Sequence, residues 1–128
     1  MRVLLDTHAL LWATLAPASL SRKASKIIAN RTNRILVSAA SAWEIATKVR
    51  LGRLPGAERM ERDFLDVMEG ADYTLVPISA EVALRAGRFP SDHRDPFDRV
   101  IAAHALHEDI PVLSSDERLD GFLVQRIW

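Results

Sequence analysis

Short apolar runs alternate with segments of helical periodicity along the chain, and this alternation constrains the fold more than any other feature. Parallel strands need crossover connections, usually helices, that cover both faces of the sheet. The pattern therefore predicts an α/β fold with a mainly parallel central sheet of four to five strands, flanked by helices on both faces. The predicted strands are Arg2–Leu5, Ile35–Val37, Tyr73–Pro77 and Ile110–Leu113, with Phe122–Ile127 as an edge strand.

Helix boundaries follow from capping residues and from the spacing of apolar side chains. Asp95-Pro96 combines an N-cap residue with a proline at the first helical position, so a helix is expected to start there. The first predicted helix follows the first strand and ends at Ala16. Five more are predicted from Arg22 to Asn30, from Ser38 to Leu51, through Met60 to Gly70, from Ser79 to Gly87, and from Asp95 to Leu106.

Composition limits the class of protein. With 128 residues, 48% of them hydrophobic, the chain can bury a core without staples, and we expect one domain over residues 1–128. The absence of cysteine excludes disulfides, zinc-thiolate sites and thiol catalysis. No run approaches the ~20 apolar residues of a membrane span, so a cytoplasmic protein is expected. Equal numbers of basic and acidic residues, 17 of each, provide no overall positive field for a polyanion.

Four acids occupy equivalent positions relative to the predicted strands. Asp6 follows the first strand, Glu44 lies on the helix after the second, Asp98 opens a late helix, and Asp116 follows the fourth strand. Ligands of open α/β sheets bind beyond the carboxyl ends of the strands, so these acids are expected to converge. Converging carboxylates repel one another unless a cation neutralises them, and an all-oxygen set suits Mg²⁺ or Mn²⁺.

Such a cation favours phosphoryl transfer, because it activates water and stabilises the leaving oxygen without a protein nucleophile. The sequence agrees with this reaction class, since it has neither cysteine nor a Gly-x-Ser-x-Gly elbow. A Walker-type phosphate loop is also missing, which argues against binding of nucleoside triphosphates.

Several of these acids have structural alternatives. Asp6 can cap the helix that follows it, and Asp95 stands at an N-cap position ahead of Pro96. Glu44 can pair with Lys48 four residues later on the helix surface. The shared positions of the four acids favour metal ligation for Asp6. Asp95 is not one of these four, and capping of the helix stays its stronger role.

The remaining polar residues are also open to two interpretations. Asp98 can ligate metal or complement a helix dipole, and Asp116 can be a ligand or a turn residue. His104 and His107 lie one turn apart without a third nitrogen ligand, which favours a structural or surface role. Three hydroxyl residues can cap helices or support the carboxylates as a second layer around the metal: Thr7, Ser38 and Ser114.

Four segments together resemble the PIN-domain ribonucleases, and most closely the VapC-like toxins of prokaryotic type II toxin-antitoxin modules. They occur in the family's order and span nearly the whole chain. In the last segment Ser114 stands where the family often has threonine, which keeps the hydroxyl. The segments are Leu4–His8, Val37–Ile45, Asp95–Ala105 and Leu113–Asp116.

The resemblance implies a PIN-like fold and a Mg²⁺- or Mn²⁺-dependent endoribonuclease. By position, Asp6, Glu44, Asp98 and Asp116 match the family's acidic quartet, and Asp95 is an extra acid beside it. The resemblance also implies an RNA substrate and a cognate antitoxin that inhibits the enzyme. A homodimer or a higher toxin-antitoxin assembly is expected, without membrane association.

The resemblance suggests that an antitoxin segment lies in an apolar groove on the early helices. Candidate groove residues, which the core could equally claim, are Leu10, Leu11, Trp12, Leu15, Ala46, Val49 and Leu54. Two other functions stay open: a catalytically silent PIN-like module that binds RNA or protein, and a phosphoacceptor domain. The last is disfavoured because Leu113–Asp116 contains no lysine after the fourth strand.

Overall fold

Five parallel strands form a single sheet in the computed structural model, which describes all 128 residues. The strand order is β3-β2-β1-β4-β5, and all four neighbouring pairs are parallel. This arrangement confirms the predicted α/β fold. The strands are β1 (Arg2–Leu5), β2 (Arg34–Ser38), β3 (Thr74–Val76), β4 (Val112–Leu113) and β5 (Arg126–Ile127).

Seven α-helices connect or flank these strands. They are α1 (Thr7–Leu15), α2 (Arg22–Ala29), α3 (Ala39–Arg50), α4 (Glu58–Arg62), α5 (Phe64–Gly70), α6 (Ala80–Arg88) and α7 (Pro96–Glu108). Short 3₁₀ segments cover Pro17–Ser19 and Glu117–Phe122. No helix combines the length and the apolar character needed to cross a membrane.

Two predicted boundaries depart most from the structure, and the fourth strand begins at Val112 instead of Ile110. The helix expected through Met60 to Gly70 is split at Asp63, whose φ of −100° and ψ of 23° depart from helical values. The edge strand expected from Phe122 begins only at Arg126, because Phe122 ends a 3₁₀ segment and is buried in the core. Leu123 then takes a left-handed conformation with φ of 63°, which interrupts extended backbone.

The sheet separates two apolar cores because successive side chains of a strand point to opposite faces. Val3 and Leu5 of β1 pack on one face with residues of α1, α4 and α5. Leu4 packs on the other face with Ile101 of α7 and with Phe122. Helices therefore cover both faces, and the carboxyl ends of β1, β2 and β4 open at one edge of the sheet.

Candidate active site

Asp6 takes one of the two roles that the sequence left open, that of a helix cap. It caps α1 with extended backbone angles, and its Oδ1 accepts a hydrogen bond of 2.8 Å from the Ala9 N–H. Its Oδ2 accepts a hydrogen bond from the Ser114 hydroxyl, across 108 residues of sequence. The residue is only 4% exposed. A helix cap does not need such burial, so the buried carboxylate has a further cause.

Burial raises the pKa of the Asp6 carboxyl from 3.8 to about 6. The hydrogen bonds from Ser114 and Ala9 oppose this shift, as does the charge of nearby His8, while the negative charge of Asp98 adds to it. Desolvation and a like charge both disfavour the ionised form. Asp6 is therefore an anion held at a cost that a cation would remove.

Glu44 lies on α3 and is almost completely buried, at 2% exposure. Its Oε2 forms an ion pair with the ammonium group of Lys48, one turn later on the same helix. Its Oε1 is buried and has no hydrogen-bond partner. Buried polar atoms are almost always paired, so this orphaned oxygen marks a position where a ligand would be favourable.

Asp98 lies in the first turn of α7, where its Oδ2 is 2.8 Å from Nε2 of His93. Burial is the main cause that raises the pKa of Asp98, and the charges of Asp95 and Glu44 add to it, whereas the hydrogen bond with His93 lowers it. Because Asp98 also raises the pKa of Asp6, these carboxylates act on one another across the edge of the sheet.

Asp95 is the N-cap of α7, as its position ahead of Pro96 predicted. Its Oδ1 accepts hydrogen bonds from the N–H groups of Phe97 at 2.9 Å and Asp98 at 3.2 Å. One oxygen is thus committed to the helix start. The side chain still contributes negative charge to the region, since it raises the pKa of Asp98.

Asp116 follows β4 and is paired with Arg118, whose Nη2 lies 2.8 Å from its Oδ2. Hydrogen bonding to this guanidinium lowers the pKa of Asp116 below its ordinary value. The negative charges of Asp98 and Asp95 add to that of Asp116 in raising the pKa of Arg118. Arg118 is therefore a cation at the margin of the same carboxylate group.

The three hydroxyl residues have different surroundings. Ser114 contacts two acids, since it donates to Asp6 and accepts from the Asp116 N–H at 3.0 Å. The Thr7 hydroxyl is 3.0 Å from that of Ser41 and forms no hydrogen bond with a carboxylate. Ser38 caps α3 by accepting from the N–H of the second residue that follows it.

The Ser38 hydroxyl also meets Nδ1 of buried His104 at 2.8 Å, and the other ring nitrogen of His104 lies 3.1 Å from the Pro77 carbonyl oxygen. These contacts give His104 the structural role that the sequence favoured. They also turn the Ser38 hydroxyl toward α7, and it forms no hydrogen bond with any of the four acids.

Two neighbours of the acids were missed by sequence reasoning. His93 and Arg118 were not assigned to the site, although each contacts one of its acids. His93 lies in an irregular connection without periodicity, so only its position five residues before Asp98 could have indicated the contact. Arg99 holds this connection by donating five hydrogen bonds to backbone carbonyls between residues 86 and 93.

The side chains around the acids bear on whether a divalent cation fits. No three histidine, aspartate or glutamate side chains lie together in an arrangement that could hold a metal ion. Protein cations occupy the acids instead: Lys48 neutralises Glu44, and Arg118 neutralises Asp116. The donors are nevertheless all carboxylate oxygens, and the buried Oε1 of Glu44 is free. The residue types therefore fit a hard cation, whereas their arrangement in the structure does not form a metal site.

The apolar groove residues suggested by the sequence are divided between core and surface. Leu10 and Leu11 are buried, whereas Leu15 is 48% exposed. Exposed Ala46 lies on α3, and Val49 and Leu54 are half-buried and pack against the core. Trp12 is half-buried, and its ring contacts those of His8 and Trp128.

A parallel sheet with carboxylates gathered at the ends of its strands defines an α/β protein with an acidic site. The family model of the PIN domain matches residues 3–122. The chain therefore belongs to the PIN domain family, which confirms the resemblance noted from the four sequence segments. A comparison with curated proteins finds no significant match.

Solved structures show the same fold at low sequence identity. The chain is similar to the VapBC2 structure from Rickettsia felis bound to a DNA fragment from their promoter, with a TM-score of 0.68, 16% identity, and coverage of 100% of this chain and 99% of that chain. It is also similar to the FitAB structure bound to an IR36 DNA fragment, with a TM-score of 0.69, 22% identity, and coverage of 98% and 93%. The structure of VapBC-1 from nontypeable Haemophilus influenzae is also similar, with a TM-score of 0.67, 19% identity, and coverage of 99% of this chain and 97% of that chain.

Proposed function

We propose that the chain is a Mg²⁺- or Mn²⁺-dependent endoribonuclease that acts as the toxin of a toxin-antitoxin module. The observation that carries the proposal is buried Asp6 and half-buried Asp98, whose negative charge raises the pKa of Asp6, together with buried Glu44, which acts on Asp98 and has an unpartnered Oε1. Buried carboxylates without a cation are costly, and strongly perturbed groups of this kind are concentrated at functional sites.

The cation would be held by Asp6, Glu44, Asp98 and Asp116, with Asp95 as a further candidate. When bound, a divalent cation lowers the pKa of water and neutralises charge on a phosphate group. The protein's own contribution is orientation. Ser114 and the Ala9 N–H fix the two oxygens of Asp6, and His93 fixes one oxygen of Asp98.

Secondary support around the acids would come from the hydroxyl groups. Ser114 bridges Asp6 and the backbone of Asp116 and is the best placed of them. Thr7 would act through Ser41, and Ser38 would act by starting α3, the helix that carries Glu44. Each of these groups limits the freedom of a side chain before substrate arrives, which lowers the cost of reaching a reactive geometry.

The partners proposed are RNA and a cognate antitoxin, with a homodimer or a larger toxin-antitoxin assembly in the cytoplasm. Membership of the PIN family supports a nuclease, and the similar structures are VapBC and FitAB proteins. The neutral net charge supports local rather than global attraction of RNA, through the cation and nearby arginines. Residues 1–128 are proposed to form one PIN domain.

A cleavage assay tests the proposal. Purified protein should cleave single-stranded RNA with Mg²⁺ or Mn²⁺ and lose the activity in EDTA, while Asp6→Asn should lose more than about 100-fold, because even outer partners of a metal site cost 10- to 100-fold. Asp109→Asn is the matched control, since Asp109 ends α7 in a left-handed conformation that asparagine tolerates. Full activity of Asp6→Asn would contradict the proposal.

A silent module that binds RNA or protein is the second candidate. The ion pairs that occupy Glu44 and Asp116 favour it, because they neutralise the acids without a metal. Under this alternative the purified protein would bind RNA or a partner and show no cleavage with either metal. Growth inhibition on expression, relieved by Asp6→Asn and by the product of an adjacent antitoxin gene, would instead support the toxin.

A further inference from the structure

Trp43 and Phe97 form an aromatic pair that joins α3 to α7. Their ring centroids are 4.6 Å apart with an interplanar angle of 77°, an edge-to-face arrangement. Trp43 is nevertheless 54% exposed, so the contact with Phe97 leaves much of the indole in water. In this part of α3 the residues that face the interior are Glu44 and Ile45. Trp43 therefore points mostly to solvent and does not fill the core.

The pair borders the carboxylate site on both helices. Trp43 directly precedes Glu44, and Phe97 directly precedes Asp98. Glu44 and Asp98 are close enough for the charge of Glu44 to raise the pKa of Asp98. Because the rings of Trp43 and Phe97 meet between the two helix segments that carry Glu44 and Asp98, an exposed aromatic surface lies next to those segments.

We propose that Trp43, supported by Phe97, is a stacking platform for a nucleobase of single-stranded RNA next to the cleaved phosphate. This inference rests on the proposed nuclease function and adds a residue that binds the substrate. Proteins that hold single strands use aromatic side chains in this way, because every base has a π-face.

The position of the pair favours this occupant over a protein segment. Under the proposed function a phosphate of the substrate is held at the neighbouring acids through the cation, so the base attached to that phosphate lies within reach of an aromatic face on the same two helices. Edge-to-face support from Phe97 also fixes the indole plane in advance.

Binding can be measured apart from cleavage. Fluorescence anisotropy with 5′-labelled oligoadenylate, oligouridylate and oligocytidylate RNA, in Mg²⁺ and in the Asp6→Asn background, gives affinities while the RNA stays intact. Trp43→Ala should weaken binding about 5- to 150-fold, the range expected for one base stacked on an aromatic ring. Trp43→Phe should retain most of the affinity, because it keeps an aromatic face.

The matched control is Leu65→Ala, which truncates another exposed apolar residue, 70% exposed, on α5, a helix without any of the four acids. It should leave RNA affinity unchanged. Thermal melting identifies a Trp43→Ala protein that fails to fold, and in that case Trp43→Phe against Trp43→Leu gives the same comparison. An abasic oligonucleotide of the same length should bind the wild-type protein and Trp43→Ala equally, because it has no base to stack.

The outcomes separate this inference from the proposed function. Equal RNA affinity of the wild-type and Trp43→Ala proteins overturns the platform, whether or not the wild-type protein cleaves RNA. Loss of self-association or of antitoxin binding in Trp43→Ala, with RNA affinity intact, also overturns it and assigns the surface to a protein partner. If the wild-type protein shows no cleavage but Trp43→Ala still loses RNA binding, the platform stands and the nuclease fails.

Discussion

The Asp6→Asn substitution should stabilise the metal-free protein while it abolishes cleavage. Burial raises the pKa of Asp6 from 3.8 to about 6 in the folded chain. Between these values the folded protein keeps a proton that the unfolded chain releases, so its stability falls as the pH rises through this interval. Above about pH 7 both states are ionised, and the folded protein carries the whole cost.

The size of the effect follows from the shift. A difference of about 2 pKa units corresponds to about 3 kcal/mol of unfolding free energy. Asparagine keeps the Oδ1 that accepts from Ala9 and removes the charge, but its amide nitrogen cannot accept the hydrogen bond that Ser114 donates, a loss of about 1 kcal/mol. Asp6→Asn should therefore gain about 2 kcal/mol at pH 8, which corresponds to about 7 °C in Tm for a chain of this length. Near pH 4 this gain should be lost.

Thermal melting in EDTA between pH 4 and pH 8 provides the measurement. Asp116→Asn is the control of opposite sign: the ion pair with Arg118 lowers the pKa of Asp116, so its charge stabilises the fold at neutral pH and this contribution is lost as the pH falls. Mg²⁺ at about 100 times its Kd should stabilise the wild-type protein by about 2.7 kcal/mol and the Asp6→Asn protein by much less.

Two results would refute the reasoning about Asp6. One is an Asp6→Asn protein that is less stable than the wild type at pH 8 in EDTA. The other is a stability difference that stays constant from pH 4 to pH 8, because a desolvated carboxylate must give a difference that grows as the group ionises.

Three further substitutions probe the surroundings of the acids. Lys48→Gln removes the partner of buried Glu44 and should lower stability in EDTA by about 1 to 3 kcal/mol, with the loss partly restored by Mg²⁺ in the same melting assay. Arg99→Ala removes five hydrogen bonds, two to the end of α6 and three to the connection before α7, and should cost about 2 to 4 kcal/mol in urea denaturation; a change below about 0.5 kcal/mol would show that the connection is stable without Arg99. Ser38→Ala breaks the cap of α3 and the contact with His104, so it should cost about 1 to 2 kcal/mol and lower RNA cleavage by the folded enzyme about 10-fold, whereas a loss beyond about 100-fold would indicate a direct role at the site.

The sequence determined the fold class and the positions of the acids along it. Alternating strands and helices leave few topologies, because parallel crossovers are right-handed and cover the sheet. The same periodicity identified residues that follow the carboxyl ends of strands, such as Asp6 and Asp116. Local rules also predicted the Asp95 cap of α7 and the pairing of Glu44 with Lys48, since both depend on residues within about one turn.

Only the tertiary structure decided which side chains surround those acids. The hydrogen bond from Ser114 to Asp6 joins residues 108 positions apart, and the contact of His104 with Ser38 spans 66. The exposure of Trp43 was equally hidden, because an aromatic residue within an apolar pattern is usually assigned to the core. Periodicity reports which face of an element is apolar, whereas burial, pKa and partners depend on what the rest of the chain brings against that face.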